Sequence, residues 1–261
     1  MENLNTFANK KTFNPLNTIC IVTGGSSGIG LALIKELKSR KAKKVINIDI
    51  KNVGQNDIDF YQCDVGNSES IKVVFSEIYK KYKNIDLICC NAGIARDDDG
   101  LASEEHWDIV WKTNVLQHIN IVRNCISNMV EKKNGWFLIT ASAAGLLSQV
   151  GSATYSTTKH ATVGFAEWLS ITYGDSGIGV SLLCPQGVNT PMTKNIKDGG
   201  VAGINGMLEA SEVAKISLDE MCKGKFLITP HEIVKKYIKI KSEDTEKWII
   251  GMRKLYKKYV N

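Results

Sequence analysis

Three tyrosines in this chain stand four residues before a lysine, a spacing that can support acid–base chemistry. Residues i and i+4 of a helix share one face, so the lysine ammonium can approach the phenol and lower its pKa from about 10. Such a tyrosine can accept a proton from an alcohol. With eight tyrosines in a lysine-rich chain, such pairs also arise by chance. The three candidates are Tyr79 with Lys83, Tyr155 with Lys159, and Tyr237 with Lys241.

A glycine-rich segment near the start of the chain has the properties of a phosphate-binding turn. TGGSSGIG, from Thr23 to Gly30, follows a predicted strand and opens a predicted helix. Gly24, Gly28 and Gly30 allow a tight turn and close approach of the backbone to a pyrophosphate. The amino terminus of the helix supplies free N–H groups and positive potential.

An acidic residue ends the second predicted strand and bears on the choice of cofactor. Asp49 can accept hydrogen bonds from ribose hydroxyls and repels a 2′-phosphate. The glycine loop contains no arginine or lysine that would offset this repulsion, although Lys51 follows two residues later. NAD is therefore the predicted cofactor, in preference to NADP.

Short apolar runs alternate with longer amphipathic stretches and predict the elements that position these residues. The runs are too uniformly apolar to have a solvent-exposed face, so they are interpreted as buried parallel strands. This alternation predicts an α/β fold of the Rossmann type, a doubly wound, seven-stranded parallel sheet with helices on both faces. The predicted strands are Thr18–Val22, Lys44–Asp49, Asp59–Cys63, Asp86–Cys90, Trp136–Ala141, Gly179–Cys184 and Phe226–Thr229. The predicted helices are SSGIGLALIKELKSR, SESIKVVFSEIYKKYK, the span Ser103–Val130 and TKHATVGFAEWLSITYG.

Residues 1–261 are predicted to form a single dinucleotide-binding and catalytic domain. Only four prolines occur, and no linker or internal repeat separates two parts. Ligands of doubly wound sheets bind at the carboxyl ends of the strands. The glycine-rich stretch from Asp198 to Gly206 is therefore assigned to a substrate-cover segment over about 191–223. A basic helical extension is predicted over about 230–261.

Composition excludes several other classes of protein. The chain is 43% hydrophobic and 23% charged, with a formal net charge of +6, which is typical of a globular protein. No apolar run approaches the ~18 residues of a membrane span, and the polar start lacks a secretory signal, so a cytoplasmic location is predicted. Seven cysteines without a C-x-x-C and four histidines without ligand spacing indicate neither disulfides nor a metal site. The basic residues are not interleaved with aromatic ones, so nucleic acid is not a predicted partner.

The motifs, taken in order, resemble those of the short-chain dehydrogenase/reductase family, in its compact, NAD-preferring, single-domain branch. The resemblance covers roughly residues 18–229 and includes a serine at a fixed distance before the catalytic tyrosine. Ser142 occupies that position before Tyr155, whereas Gly66 and Gly224 stand there for the other two tyrosines. The remaining motifs are TGGSSGIG, Asp49, Asp64-Val65, NAG at Asn91–Gly93, Asn114 in KTNV and CPQGVNT from Cys184 to Thr190.

The resemblance implies a role for each matching residue. Tyr155 would transfer the proton, Lys159 would stabilise its phenolate and bind the nicotinamide ribose, and Ser142 would hydrogen-bond the substrate oxygen. Asn114 would hold a water of the proton relay. The implied cofactor contacts are Gly24, Ser27, Gly28, Ile29, Gly30, Asp49, Asp64, Val65, Asn91, Ala92, Gly93, Tyr155, Lys159, Val188 and Thr190. Tyr79 and Tyr237 are interpreted as surface residues.

The predicted function is an oxidoreductase that transfers a hydride between NAD(H) and an apolar secondary alcohol or ketone. Gln149 and Gln186 are hypothetical substrate contacts beside Ser142 and Tyr155; Gln186 stands where the family commonly has a glycine. The resemblance also implies a homodimer or homotetramer, paired through the helices that contain Asn114 and Tyr155. An apolar inner face of the cover favours an apolar substrate: Met192, Ile196, Val201, Ile204, Met207 and Leu208.

Two alternatives remain open. An NADPH-dependent 3-oxoacyl-type carbonyl reductase would have the same fold, but Asp49 disfavours it. A non-catalytic dinucleotide sensor or scaffold is disfavoured because Ser142, Tyr155 and Lys159 are all present.

The end of the chain predicts one more helix, in SEDTEKWIIGMRKLYKKY. Its first serine, Ser242, is the expected cap. An apolar stripe indicates packing either over the pocket or on a neighbouring subunit: Trp248, Ile249, Met252, Leu255 and Tyr256.

Overall fold

The computed structural model describes residues 11–54, 58–96, 98 and 101–260. Residues 1–10 lie outside this range. They belong to the polar start on which the predicted lack of a secretory signal rests. None of the described helices is long and apolar enough to cross a membrane. The strands are β1 (Ile19–Thr23), β2 (Lys44–Asp49), β3 (Asp59–Gln62), β4 (Leu87–Cys90), β5 (Gly135–Thr140), β6 (Ile178–Leu183), β7 (Val188–Asn189), β8 (Leu208–Glu209) and β9 (Leu227–Ile228).

Seven of these strands form one parallel sheet, in the order β3-β2-β1-β4-β5-β6-β9. All residues of β4, β5 and β6 are buried, as expected for strands covered on both faces. The predicted doubly wound sheet is confirmed, and each predicted strand ends within one residue of the observed one. The order reverses between β1 and β4, which places the ligand crevice of such a sheet at their carboxyl ends.

Helices cover both faces of the sheet and create two apolar cores. One core contains residues of α2, α4 and α6, such as Phe75, Ile121 and Leu169. The other contains residues of α1 and α7, such as Leu33 and Leu218. The helices are α1 (Gly28–Ser39), α2 (Ser68–Lys81), α3 (Glu104–Trp111), α4 (Gln117–Glu131), α5 (Ala144–Leu147), α6 (Ala153–Tyr173), α7 (Ala210–Cys222), α8 (Ile233–Glu243) and α9 (Thr245–Tyr259).

Two local features of the helices position the candidate site residues Asn114, Tyr155 and Lys159. A π-helical turn over Lys112–Leu116 joins α3 to α4 inside the single helical span that the sequence predicts. Helix α6 begins at Ala153, earlier than predicted, because the Ser152 side chain accepts a hydrogen bond from the backbone N–H of Tyr155. Tyr155 and Lys159 are therefore one helical turn apart on the same helix.

A small second sheet fixes both ends of the predicted cover. β7 pairs in parallel with β8, with Val188 opposite Leu208. This two-residue ladder is too short to show a sequence period, and the sequence does not predict it. The chain between the two strands consists of turns and one 3₁₀ turn at Lys197–Gly199. The later part of the 191–223 segment is α7, which packs in the core that contains α1.

The basic extension forms the helical pair α8–α9, which packs against α5. Lys241 Nζ donates a hydrogen bond to the Leu146 carbonyl oxygen at 2.7 Å, and Trp248 Nε1 donates to that of Leu147 at 3.3 Å. The predicted serine cap is wrong, since Ser242 lies within α8 and the Asp244 side chain accepts the N–H of Lys247 at the start of α9. Asp244 caps α9 in place of Ser242 because α8 continues past the serine.

Candidate active site

The serine, tyrosine and lysine of the predicted catalytic set meet at the carboxyl end of β5. Ser142 lies two residues after this strand, while Tyr155 and Lys159 project from α6, and all three line one cavity. Lys159 Nζ lies 5.6 Å from the centroid of the Tyr155 ring and donates a hydrogen bond to the Thr140 carbonyl oxygen at 3.2 Å. The fold thus places one hydroxyl, one phenol and one ammonium at the same wall.

Burial shifts the pKa values of Tyr155 and Lys159. It raises the pKa of Tyr155 above its ordinary value, while a hydrogen bond with the Ser142 side chain acts in the opposite direction. Lys159 is only 3% exposed, and burial lowers the pKa of its ammonium to about 8. The phenol is therefore protonated at neutral pH, and the lysine changes charge within the physiological range.

The Ser142 hydroxyl is held in place at the same wall. Its Oγ accepts the Ala144 N–H at 3.1 Å and lies 3.5 Å from the Pro185 carbonyl oxygen. The second contact is long for a hydroxyl donor, so the O–H can turn toward a ligand oxygen in the cavity.

Asn114 lies in the π-helical turn and holds the surrounding segments together. Its Oδ1 accepts the Ile94 N–H at 2.9 Å, and its Nδ2 donates to the Ile94 carbonyl oxygen at 3.0 Å and to Thr158 Oγ1 at 3.2 Å. Its backbone carbonyl accepts a hydrogen bond from Thr162 Oγ1 at 2.9 Å. Asn114 is buried and does not line the cavity. Its role in a water relay stays a prediction.

The glycine loop, at the other end of the cavity, is packed too tightly on neighbouring backbone to carry side chains at two of its positions. Gly24 has φ +65°, and a Cβ there would lie 2.9 Å from the Ala92 Cα, so only glycine is accommodated. A side chain at Gly30 would collide with the Gly24 carbonyl oxygen, so Gly30 lies beneath the loop and does not line the cavity. The first turn of α1 then presents its N–H groups, and Ser27 makes no capping side-chain hydrogen bond.

Asp49 lies at the edge of the same loop, at the end of β2. Its Oδ2 accepts the Ser26 N–H at 3.0 Å and its Oδ1 accepts the Lys51 N–H at 3.2 Å. The carboxylate still lines the cavity, next to Asp64 at the end of β3. A carboxylate oriented in this way retains lone pairs that can accept hydroxyl donors.

One continuous cavity of about 1090 Å³ joins the glycine loop to the Ser142–Tyr155–Lys159 wall. Asn114 and Gly30 are the predicted site residues that do not line it. The predicted residues that do are Gly24, Ser27, Gly28, Ile29, Asp49, Asp64, Val65, Asn91, Ala92, Gly93, Ser142, Gln149, Tyr155, Lys159, Gln186, Val188 and Thr190. The structure thus brings the predicted cofactor and substrate positions together; their roles stay predictions.

The turn after β6 does not need the glycine that the family commonly has. Neither Gln186 nor Gly187 adopts a positive φ. The Gln186 N–H donates to His231 Nδ1 at 3.2 Å, and Gln186 Oε1 accepts from Asn205 Nδ2 at 3.3 Å. Asn205 Oδ1 in turn accepts the Tyr237 hydroxyl at 3.2 Å. Gln186 therefore links the turn, the cover and the extension.

The predicted inner face of the cover is correct in part. Met192, Ile196, Val201 and Ile204 line the cavity, whereas Met207 and Leu208 do not. Met207 is directed at the backbone of Gly187 and Gly199, and Leu208 packs on the core beside α7. The β7–β8 pairing turns these two residues away from the cavity.

The interpretation of Tyr79 and Tyr237 as surface residues is wrong. Tyr79 packs against the main core, and its hydroxyl is buried with no hydrogen-bond partner among the described residues. Tyr237 lines the cavity and packs on Trp248 with ring centroids 5.9 Å apart. Both tyrosines lie on the apolar face of their helix, which an isolated charged motif does not reveal.

Sequence reasoning missed most of the wall that α8 and α9 contribute. The predicted stripe identified Trp248, Met252 and Leu255, which do line the cavity, but also Ile249 and Tyr256, which are exposed. The helix therefore packs over the pocket, one of the two possibilities that the sequence left open. Further lining residues include Ile94, Ala95 and Arg96 after β4 and Tyr237, Ile240, Lys247, Ile250, Gly251 and Lys254 in the extension.

Comparison with known proteins agrees with this geometry. The 3-oxoacyl-[acyl-carrier-protein] reductase FabG of Vibrio cholerae is 30% identical over 188 residues, covering 69% of this chain and 77% of the relative. The reductase of the same name from Chlamydia trachomatis is 30% identical over 234 residues, covering 82% and 94%.

Solved structures show the same fold. A short chain dehydrogenase/reductase from Burkholderia phymatum in complex with NAD has a TM-score of 0.79 at 23% identity, covering 90% of this chain and 96% of that one. A short chain dehydrogenase from Burkholderia cenocepacia in complex with NADP has a TM-score of 0.78 at 19% identity, covering 90% and 97%. The family model for short chain dehydrogenases matches residues 18–200. This chain belongs to the short-chain dehydrogenase family.

Proposed function

We propose that the protein is an NAD(H)-dependent oxidoreductase that interconverts an apolar secondary alcohol and the corresponding ketone. The observation that carries this proposal is that Ser142, Tyr155 and Lys159 line the same cavity as the glycine loop and Asp49 at the end of β2. Membership of an oxidoreductase family supplies the reaction class. The apolar cover residues support an apolar substrate.

The residues at the glycine-loop end suit a dinucleotide. Ser27 makes no capping side-chain hydrogen bond, so the first-turn N–H groups of α1 could donate to a pyrophosphate. Asp49 and Asp64 both line this end of the cavity, where they would accept hydrogen bonds from a ribose and from an adenine amino group, respectively. The nicotinamide end would then reach Lys159 and Thr190.

Proton transfer follows from the geometry of the tyrosine wall. A bound nicotinamide supplies the hydride acceptor or donor. In oxidation, the Tyr155 phenolate, which the Lys159 ammonium stabilises, accepts the hydroxyl proton of the alcohol and becomes the neutral phenol. In reduction, the Tyr155 hydroxyl donates a proton to the carbonyl oxygen. Ser142 donates a hydrogen bond to the same oxygen and holds it beside the phenol.

The preference for NAD over NADP is supported by the charges at the glycine-loop end. Asp49 lines the cavity there, and no described lysine or arginine lines that end. Lys51 does not line the cavity; its backbone N–H donates to Asp49 and its carbonyl oxygen accepts the Ser26 hydroxyl. A 2′-phosphate would therefore meet a negative charge that no described cation offsets.

A second candidate function is an NADPH-dependent 3-oxoacyl-type carbonyl reductase. The relatives named 3-oxoacyl-[acyl-carrier-protein] reductase favour it. The residues of the catalytic wall would act in the same way, so the two candidates differ in the cofactor and in the substrate beyond the reacting carbonyl.

Cofactor titration separates these candidates. We expect tighter binding of NAD(H) than of NADP(H), and a loss of about tenfold or more in NAD(H) affinity in Asp49→Ala, because a hydrogen bond to a charged group is removed. Affinity for NADP(H) should rise in the same variant. Glu69→Ala, at an exposed carboxylate on α2, is the matched control. Tighter binding of NADP(H) by the wild type would instead place the 3-oxoacyl reductase first.

A screen of secondary alcohols and ketones then tests turnover, with Tyr155→Phe as the inactive control. Absence of turnover with either cofactor would favour the non-catalytic sensor or scaffold.

A further inference from the structure

The charges that line the cavity are separated by sign. Apart from Lys159, the described charged residues of the lining are two carboxylates and three cations. Asp49 and Asp64 lie at the glycine-loop end, whereas Arg96, Lys247 and Lys254 lie at the outer end, beyond the catalytic wall. Among the described residues, therefore, the outer end is lined only by positive charges.

Two of these cations belong to one face of α9. Lys247 and Lys254 are separated by about two helical turns, so their side chains project from the same side of the helix. Neither forms a salt bridge with any residue that the structure describes, although many other lysines do. Both are exposed at the mouth of the cavity. Their ammonium groups are available to a ligand.

Arg96 is a weaker element of this end. Three aspartates, Asp97, Asp98 and Asp99, follow it directly in the sequence. We therefore rest the proposal on the two lysines alone.

The surface between the catalytic wall and the lysines is apolar. Leu147 lies on the same side as Ser142, and Ile204 comes from the cover. Trp248, Met252 and Leu255 occupy the adjacent positions of α9. A ligand that reaches from Tyr155 to the lysines therefore meets a polar reacting end, an apolar middle and a cationic far end.

We propose that the substrate of this site is an amphipathic secondary alcohol or ketone whose apolar chain ends in an anionic group, a carboxylate or a phosphate, held by Lys247 and Lys254. This inference rests on the proposed oxidoreductase function and adds to it the chemistry of the substrate's distal end. The lysines act on substrate affinity and not on the proton or hydride step.

The test compares substrates that differ only in the distal charge. The first arm uses 7-oxooctanoate and 9-oxodecanoate, each with its methyl ester, and whichever reduced cofactor the protein binds. The second arm uses acetoacetyl-4′-phosphopantetheine and acetoacetyl-pantetheine, which share the thioester and differ only in the terminal phosphate. We expect kcat/KM for the charged member of one arm to exceed that of its neutral partner by about fivefold or more. The difference should lie in KM, and it should be modest because solvent-exposed ion pairs contribute little to binding free energy.

Matched variants assign the effect to the cavity lysines. In Lys247→Gln/Lys254→Gln the preference for the charged member should disappear, through a rise in KM for that member. Arg253→Gln/Lys257→Gln removes the same charge from α9 at residues that do not line the cavity, and the preference should persist. Raising the ionic strength should weaken the preference in the wild type.

The outcomes distinguish the two levels of the proposal. A preference in the first arm identifies a carboxylate, and one in the second arm identifies a phosphate. Equal kcat/KM within both pairs, or a preference that survives in Lys247→Gln/Lys254→Gln, overturns the inference while leaving the oxidoreductase intact. Absence of turnover for every compound counts against the proposed function. In that case, thermal shift with cofactor present measures binding of the same compounds. Equal shifts for the two members of each pair refute the inference.

Discussion

At the scale of single residues, three tyrosines with the same local motif have three different environments. Tyr155 lies beside Ser142 and Lys159 in the cavity, Tyr79 is packed in a core, and Tyr237 holds the cover through Asn205. The motif predicts proximity of a phenol and an ammonium, but the strand-end serine decides which phenol meets a substrate.

Replacement of Tyr155 by phenylalanine should lower the rate of both oxidation and reduction by about 10²–10⁴-fold, because the proton donor and acceptor is removed. Cofactor affinity should be nearly unchanged. Tyr79→Phe is the matched control; its hydroxyl has no partner among the described residues, so activity and folding should persist. Steady-state kinetics with cofactor titration measures both effects. Equal activity in Tyr155→Phe and the wild type would remove Tyr155 from the mechanism.

The reductive reaction should lose activity as the pH rises through about 8. Burial lowers the pKa of Lys159 to about 8, so the ammonium is present below that pH and is lost above it. Without this charge, the Tyr155 phenolate left by proton donation is not stabilised. The measurement is the pH profile of kcat/KM for ketone reduction at saturating reduced cofactor.

Lys159→Arg provides the control for this profile. A guanidinium stays charged throughout the range, so the variant should be slower but should not show the decline near pH 8. The same decline in both proteins would assign it to another group.

At the scale of elements, helix α4 carries a buried histidine that should make the fold sensitive to acid. His118 is 1% exposed, and neither ring nitrogen has a hydrogen-bond partner among the described residues. Burial, together with the nearby charge of Lys159, lowers the pKa of His118 from its ordinary 6.5 to about 3. Below pH 6.5 the unfolded chain binds a proton that the folded protein does not, so stability falls as the pH falls.

The His118→Leu variant should lose less stability on acidification. Between pH 7 and pH 5 the histidine accounts for about 2 kcal/mol of lost unfolding free energy, and the variant should lack that contribution. Urea denaturation at both pH values measures the difference. His160→Leu removes a histidine of α6 but keeps His118, so it should retain the wild-type dependence. Equal acid sensitivity of wild type and His118→Leu would contradict this account.

How far the sequence predicts the structure also depends on the element. The central strands of the main sheet are visible in the sequence because burial on both faces leaves a continuous apolar run, as in β5 and β6, whereas the edge strand β3 is only partly buried. The glycine loop and the Ser142–Tyr155–Lys159 set are visible because their motifs are local. The lysines of α9 are not, since their place in the lining depends on how the helix docks against α5. The pairing of β7 with β8 rests on two residues per strand, which is too short a signal.

At the scale of the whole molecule, an aromatic surface on α6 is the strongest candidate for self-association. Trp168 stacks on Phe165 at 5.8 Å between ring centroids and meets the edge of Tyr173 at 5.9 Å. Ile171, on the same helix, is 83% exposed. Exposed apolar residues in such a cluster indicate an interface, in agreement with the predicted pairing through this helix.

Ile171→Glu combined with Trp168→Glu should convert a dimer or tetramer into a smaller species, because two buried charges would oppose association. Size-exclusion chromatography with light scattering measures the mass of each protein. Ile249→Glu, at an exposed apolar position on α9 outside this cluster, is the control and should leave the mass unchanged. A wild-type protein that is monomeric at micromolar concentration would contradict the prediction.

The β7–β8 ladder has a consequence for how this enzyme could change its substrate. Because Val188 and Leu208 pair, both ends of the intervening loop are anchored independently of its interior. The free energy of closing a loop changes only slowly with its length. The part of this loop between Thr190 and Asn205 therefore behaves as an exchangeable segment: loops of other lengths and sequences could be grafted there to alter selectivity, while Thr190 stays beside the glycine loop and Asn205 keeps its contacts with Gln186 and Tyr237.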